Sequence, residues 1–253
     1  MADAEPTQRL NPNSALYWYP ATETIAQEYD GLQVPETQVV EFDFMDCLGV
    51  LDGERPAALP TEDLAAAVDA VGDRAFIRTD LTSAKHSGLR AIQATTPTDA
   101  ERVASWLIGS AAQKSMFPAA FLIREWVDIE SQFTAFDGLP IGVEYRVFST
   151  PDEHLCTHYY WPEESLEDAD PSSSMWRTLR KDIEAVRTPP WLGAAARGVA
   201  FEADFQHGID DPERAWSVDF ARDIDGGWWL IDMALADESW HPACEHAEEG
   251  ADG

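Results

Sequence analysis

The chain has 253 residues, enough for one large domain or two lobes around a shared cleft, and 45% of them are hydrophobic, which fills a sizeable core. Its 47 acidic residues outnumber 17 basic ones for a net charge of -30, so no basic stripe exists to displace counterions from a nucleic-acid backbone. No stretch reaches the roughly eighteen consecutive apolar residues of a membrane span, and no early apolar run with basic flanks is present, so a soluble, cytoplasmic protein without nucleic-acid or membrane partners is expected.

Charge of this size repels itself at ordinary ionic strength, whereas molar salt shortens the Debye length to about 3 Å and screens it. The composition points to a salt-in halophilic host, or a cell infected by one of its viruses. An acidic mimic of nucleic acid is the rival reading; against it, the acids are spread along the chain and interleaved with core segments. Cys47, Cys156 and Cys244 are odd in number and widely spaced, which argues against a disulfide framework. His241, Cys244 and His246 form a short cluster, but no second ligand pair at zinc-site spacing is visible, and the stretch reads as a polar tail.

In chain order, the residues up to about Asn13 read as a frayed lead-in. Ala15 to Pro20 and Thr37 to Phe44 read as strands, with a helix from Thr22 to Tyr29 between them, giving a small amino-terminal α/β unit over residues 1–60 that ends in a linker from Gly49 to Pro60. Thr61 opens a helix that Gly72 ends. Ala75 to Asp80 is a strand, Leu81 to Gly88 a polar loop, and Thr98 to Gly109 a second helix. Phe121 to Ile129 and Ile141 to Ser149 read as strands separated by the turn Phe136 to Pro140. Glu163 to Ser174 reads as an acidic surface excursion, and Met175 to Arg187 as a helix. Ala194 to Ala203 is ambiguous. Two strands follow, Trp216 to Arg222 and Trp228 to Ala234, and the acidic tail from Glu245 to Gly253 is expected to be disordered. The domain division is 1–60, 61–127, 128–244 and the tail 245–253.

Asp-Gly between two apolar alternating runs predicts a hairpin with a two-residue turn at Asp225-Gly226. Stepping outward from that turn sets Asp219 opposite Asp232; a slip of the turn to Gly226-Gly227 leaves the two as diagonal neighbours on one face. Facing carboxylates repel unless a cation lies between them or one is protonated, and all-oxygen ligands suit magnesium. The plainer alternative is a solvent face on which the aspartates are ordinary polar strand residues.

Four segments in order, FIRTDLTSAKHSG, FLIREWV, GVEYRVF, and the hairpin WSVDFARD with WWLIDMA, resemble the ATP-grasp superfamily. Within it they are most similar to proteins of phages and archaeal viruses and to the eukaryotic cell-division-cycle chaperone of translation initiation factor two. The resemblance covers roughly Ala75 to Ala234. It implies an α+β fold in which two lobes with antiparallel sheets enclose a nucleotide cleft, with ATP and Mg2+ as cofactors. It implies Arg78 and Lys85 as cations on the ATP phosphates, Ser83 and Ser87 as hydrogen-bond donors in the phosphate loop, and Glu125, Trp126 and Val127 as backbone contacts to adenine. Arg146 would meet phosphate or a developing acyl phosphate and, with Arg78, serve catalysis, while Glu144 orients Arg146. Asp219 and Asp232 take the metal positions. The family commonly has an asparagine two residues after the second acid; here Ala234 stands there, and Asp237 or Glu238 is the substitute to look for. The activity implied is ATP-dependent ligation of a carboxylate to an amine through an acyl phosphate, on a small molecule, a peptide or a protein. The alternative is an ATP-binding assembly chaperone, or partner-binding module, without turnover.

Overall fold

The computed structural model describes residues 11–51, 59–169, 175–242 and 244. The acidic tail 245–253, including His246, lies outside the described residues, as does most of the expected linker. Among the described residues no helix is long and apolar enough to cross a membrane.

Ser14 sets the first element. Its hydroxyl accepts from the Leu16 amide and donates to buried Asp80, opening helix α1 (Ala15–Ala26) where a strand was expected. The aromatic run favours strand by propensity, but Tyr17, Trp18 and Tyr19 are buried in succession, which a helix enclosed on several sides permits and a two-faced strand does not. Pro20 lies exposed inside the helix and gives up one hydrogen bond of the ladder. Strands β1 (Leu32–Gln33) and β2 (Thr37–Glu41) and helix α2 (Phe44–Leu51) follow. They do not form an amino-terminal sheet of their own.

Helix α3 (Thr61–Val71) ends at Gly72 as expected, strand β3 (Ala75–Thr79) follows, and the loop beyond it holds two 3-10 turns, Lys85–Ser87 and Leu89–Ala91, before β4 (Gln93–Ala94). Thr96 caps α4 (Pro97–Gln113), with Pro97 in its first turn, and β5 (Ala120–Glu125) comes next. These strands make a four-stranded sheet in the order β2-β5-β3-β4, with β2, β3 and β4 all paired antiparallel, and α2, α3 and α4 bury its outer face.

The hairpin β6 (Ser131–Ala135) and β7 (Leu139–Gly142) separates the lobes. Next come β8 (Glu144–Ser149), β9 (His154–Tyr159), α5 (Glu163–Ala169), α6 (Met175–Glu184), α7 (Trp191–Gln206), β10 (Trp216–Arg222) and β11 (Trp228–Leu235). The expected acidic excursion is therefore partly helical, the ambiguous alanine-rich stretch is a helix, and β9 is a strand the sequence reading did not contain. The second sheet runs β1-β11-β10-β8-β9, antiparallel except for the parallel pair of β1 and β11. Helices α1 and α7 pack into its core. The fold is thus α+β, two sheets facing one another.

The hairpin of β10 and β11 differs from expectation in a way that matters. Asp223 bonds to Gly227, so the loop has three residues, Ile224 to Gly226, rather than two; Gly226 sits at φ +88, where a side chain is strained, and the Asp223 carboxylate accepts from the Asp225 and Gly227 amides. One added residue would displace the aspartates. A bulge at Ile231 restores the register, so Phe220 faces Leu230 while Asp219 faces Asp232.

Candidate functional site

A cleft opens between the two sheets. Its lining includes Phe76, Ile92, Trp126, Val127, Leu139 and Ile231 on the apolar side, and Arg78, Ser83, Lys85, Arg124, Glu144 and Asp232 on the polar side. Glu125 also lines it, while its carboxylate accepts from the Glu36 amide.

Arg78 and Arg124 come from neighbouring strands. Phe76 is registered opposite Arg124 and Arg78 opposite Leu122, so the two arginines are diagonal neighbours on the face turned toward the second sheet. Arg78 is 4% exposed and reaches across the cleft, its Nη1 donating to Asp232 Oδ1 at 2.5 Å. Arg124 is 3% exposed and donates to the Ile231 carbonyl, freed at the bulge, and to Thr37 Oγ1. It has no carboxylate partner among the described residues, and its Nη2, fully buried, has no hydrogen-bond partner. Burial, with Arg78 close by, pushes its guanidinium down to about 10, still charged at neutral pH.

Lys85 enters from the loop after β3. Ala84 adopts a left-handed conformation, and Gly88 at φ +100 passes so close to the β6–β7 turn that an added Cβ would lie 3.0 Å from that of Asp137. That anchoring turns Lys85 inward, its Nζ 3.0 Å from Glu144 Oε2 and 3.7 Å above the Tyr160 ring. Burial alone would lower its ammonium, but the Glu144 charge and its further partners Tyr160 and Asp219 outweigh that and hold it raised. Glu144 Oε1 in turn accepts from Trp161 Nε1 at 2.8 Å. Ser83 lines the cleft, whereas Ser87 is exposed and outside its lining.

Arg146 shares the cleft-facing side of β8 with Glu144, yet Glu144 does not orient it. Register places Arg146 directly opposite Asp219, and a bidentate pair at 2.7 and 2.8 Å forms there, while the carboxylate two residues along goes to Lys85. Burial opposes the Arg146 charge, and Asp219 more than compensates, so the guanidinium is held up. Its Cζ lies 4.7 Å from the Tyr160 ring, the ring that Lys85 also faces.

Asp219 and Asp232 are cross-strand neighbours, and each carries its own arginine. Burial would raise the Asp232 carboxyl, but Arg78, Lys85 and Arg124 keep it below the usual carboxylate range, so it is ionised. All-oxygen donors of this kind fit a hard divalent cation. A third carboxylate does not join them: among the described residues Asp237 and Glu238 sit in the exposed 3-10 turn after β11 and belong to no group of ligands around these aspartates. A phosphate chain fits the donors present better still, because among the described residues the buried Arg124 Nη2 has no hydrogen-bond partner.

At the end of β5 the Glu125 and Trp126 amides are engaged by the Glu36 and Arg74 carbonyls, so neither is a donor for a base. The Val127 amide makes no hydrogen bond among the described residues and lines the cleft beside Phe76 and Leu139. The structure thus gathers Arg78, Ser83, Lys85, Glu125, Trp126, Val127, Glu144 and Asp232 around one cleft, with Arg146 and Asp219 joined to it through Tyr160 and the strand pairing. Sequence reasoning passed over Arg124; a lone cation inside the apolar strand FLIREWV was the available signal.

No protein-family model and no curated protein matches the chain. Among solved structures it is similar to D-cycloserine synthetase DcsG, with a TM-score of 0.49 and 14% identity over 88% of this chain and 62% of that one. Cdc123 from Schizosaccharomyces pombe aligns with a TM-score of 0.48 and 14% identity over 90% and 87% of the two chains. N5-carboxyaminoimidazole synthetase from Staphylococcus aureus, complexed with ADP, gives a TM-score of 0.46 and 10% identity over 94% and 48%. The chain spans less than two thirds of the length of the synthetases in this comparison.

Proposed function

We propose that the cleft binds ATP with magnesium, the base in the apolar slot against Phe76, Leu139 and Ile231 with the Val127 amide as donor, and the phosphates on Arg78, Lys85 and Arg124, helped by Ser83. The observation that carries this reading is Arg124, a buried guanidinium without a carboxylate, in a chain whose net charge is -30. A buried, unpaired cation is strongly disfavoured unless an anion compensates it. Asp219 and Asp232 would hold the metal, which when bound neutralises phosphate charge. Arg146, beside them, would stabilise charge on a transferring phosphoryl group.

The reaction class that suits such a site is ATP-dependent activation of a carboxylate as an acyl phosphate, followed by attack of an amine. No side-chain nucleophile is needed, because positioning and charge neutralisation carry the chemistry. The second reading is an assembly chaperone or partner-binding module that holds ATP without turnover, favoured by Ala234 and by the missing third carboxylate. Phosphate release measured with ATP and a panel of carboxylates and amines separates them. Release that depends on one carboxylate and one amine supports the ligase; tight ATP binding with no release under any pairing supports the module.

The charge also leads us to infer a working environment of high ionic strength, inside a salt-in halophile or a cell infected by its virus. On this reading the far-ultraviolet dichroism of the chain is lost on dilution to tens of millimolar KCl and recovered on return to molar KCl. Unchanged spectra across that range would remove the inference.

A further inference from the structure

Cys156 and His158 alternate along β9, so both side chains leave the same face of the sheet. That face is the one carrying the charged row, because register aligns Asp232, Asp219, Arg146 and His158 across β11, β10, β8 and β9. The next row holds Ala234, Ser217, Phe148 and Cys156. After β11 the chain turns back over this second row. Ser239 Oγ meets Ser217 Oγ at 2.5 Å, the His241 ring stacks on Phe148 with centroids 3.9 Å apart, and Cys244 arrives beside Cys156. On the way the Trp240 carbonyl accepts from Arg146 Nη1 at 3.3 Å.

The result is a four-residue constellation: His241 and Cys244, which by sequence belong to a polar tail with no second ligand pair, meet Cys156 and His158 on β9, a strand the sequence does not reveal. One ligand atom from each of Cys156, His158, His241 and Cys244 falls within 4.8 Å of the other three. His241 Nε2 is 3.1 Å from Cys156 Sγ and 3.2 Å from Cys244 Sγ. His158 Nε2 is buried and has no hydrogen-bond partner among the described residues. A tetrahedral zinc with Zn–S near 2.3 Å and Zn–N near 2.0–2.1 Å sets its ligand atoms about 3.3–3.8 Å apart, so the two His241–sulfur pairs need only open slightly and any wider pair close to that range. Two thiolates and two imidazoles select zinc over the hard cations that carboxylates prefer. A Cys156–Cys244 disulfide would use neither imidazole and would leave the buried His158 nitrogen unsatisfied.

We propose that Cys156, His158, His241 and Cys244 bind one structural Zn2+, which pins the segment after β11 across the sheet and fixes the Trp240 carbonyl against Arg146. The site is independent of what the cleft binds. Ligand spacing, Cys-x-His on an edge strand and His-x-x-Cys on the returning segment, closes all four tetrahedral positions with protein atoms, as structural rather than catalytic zinc requires.

The test uses the full chain, expressed without a metal-affinity tag, reduced, reconstituted with zinc and passed over a desalting column. Elemental analysis should return roughly one zinc per chain, and replacement by Co2+ should give the visible absorption of a tetrahedral thiolate site. Cys156→Ser and His241→Ala should lose the metal, whereas Cys47→Ser, altering a cysteine buried in the other core, should keep it. The cobalt spectrum of the unaltered chain decides the matter should the variants fail to fold. Absence of stoichiometric metal after reconstitution, full zinc retention in a Cys156→Ser and Cys244→Ser double variant, or a Cys156–Cys244 disulfide in the freshly purified chain would each overturn the proposal.

Discussion

Two buried ionic clusters sit in this molecule and are built differently. Under α7, Asp204 is 2% exposed and fully matched: Tyr17 Oη at 3.1 Å, Arg214 Nη1 at 2.9 Å and Trp216 Nε1 at 3.3 Å all donate to it. In the cleft, Arg78, Lys85 and Arg146 each have a carboxylate, but among the described residues Arg124 pairs with none and keeps a buried N–H unbonded. A balanced cluster specifies a fold. An unbalanced one leaves a place for a ligand of opposite charge, and the binding proposed for the cleft rests on that difference.

The sharpest way to break the comparison is at the balanced end. Asp204→Ala takes the shared acceptor from Tyr17 and Trp216 and leaves Arg214 only its longer pair with Asp211 at 3.8 Å, and it should destabilise the chain by roughly 3 kcal/mol, the low side of the range for a broken buried pair because Arg214 is 24% exposed. Denaturant unfolding in molar KCl measures it, and nucleotide affinity of the folded fraction should not move. In the cleft, Asp232→Asn keeps the shape, removes a carboxylate proposed to hold the metal and frees Arg78. The magnesium-dependent part of ATP binding should weaken about tenfold, or ~1.4 kcal/mol, by titration with and without the metal. Equal weakening in both conditions would make Asp232 an arginine partner only.

A smaller effect tests the balanced cluster through pH. Burial, and then the Asp204 charge, pushes the Tyr17 phenol up to about 12 from 10.0. Between those values the folded chain keeps a proton that the unfolded chain has lost, so stability declines as pH rises through this window. Tyr17→Phe removes that share of the alkaline limb; Tyr145, likewise pushed up to about 12 by burial, supplies part of what remains. An unaltered alkaline limb in the variant would mean Tyr17 does not titrate against Asp204.

The same contrast shows what the sequence could reveal. Asp219 opposite Asp232 was legible from Asp-Gly and strand alternation, but by a route containing two offsetting differences, a loop one residue longer and a bulge one residue wide. Local turn chemistry does not encode such compensation; the Ile231 carbonyl turned to Arg124 does. Helix α1 was hidden because its aromatic residues favour strand while enclosure by tertiary packing decided for helix. Strand β9 was hidden because HLCTHY is a partly exposed edge without alternation, and with it went Cys156 and His158. Arg124 stands inside the motif FLIREWV with nothing in the sequence to mark a role, because an ion's missing partner is a property of three dimensions.

Calorimetric titration of Mg-ATP into the chain and into its Arg124→Met variant, in molar KCl, asks whether the Arg124 guanidinium holds a phosphate. One nucleotide per parent chain is expected, with an affinity about a hundredfold lower in the variant, or ~2.7 kcal/mol, and a variant that unfolds at the same temperature or higher, since a buried unmatched charge has been replaced by an apolar side chain of similar length. A parent chain that gives no binding heat, or a variant that binds as the parent does, would contradict it.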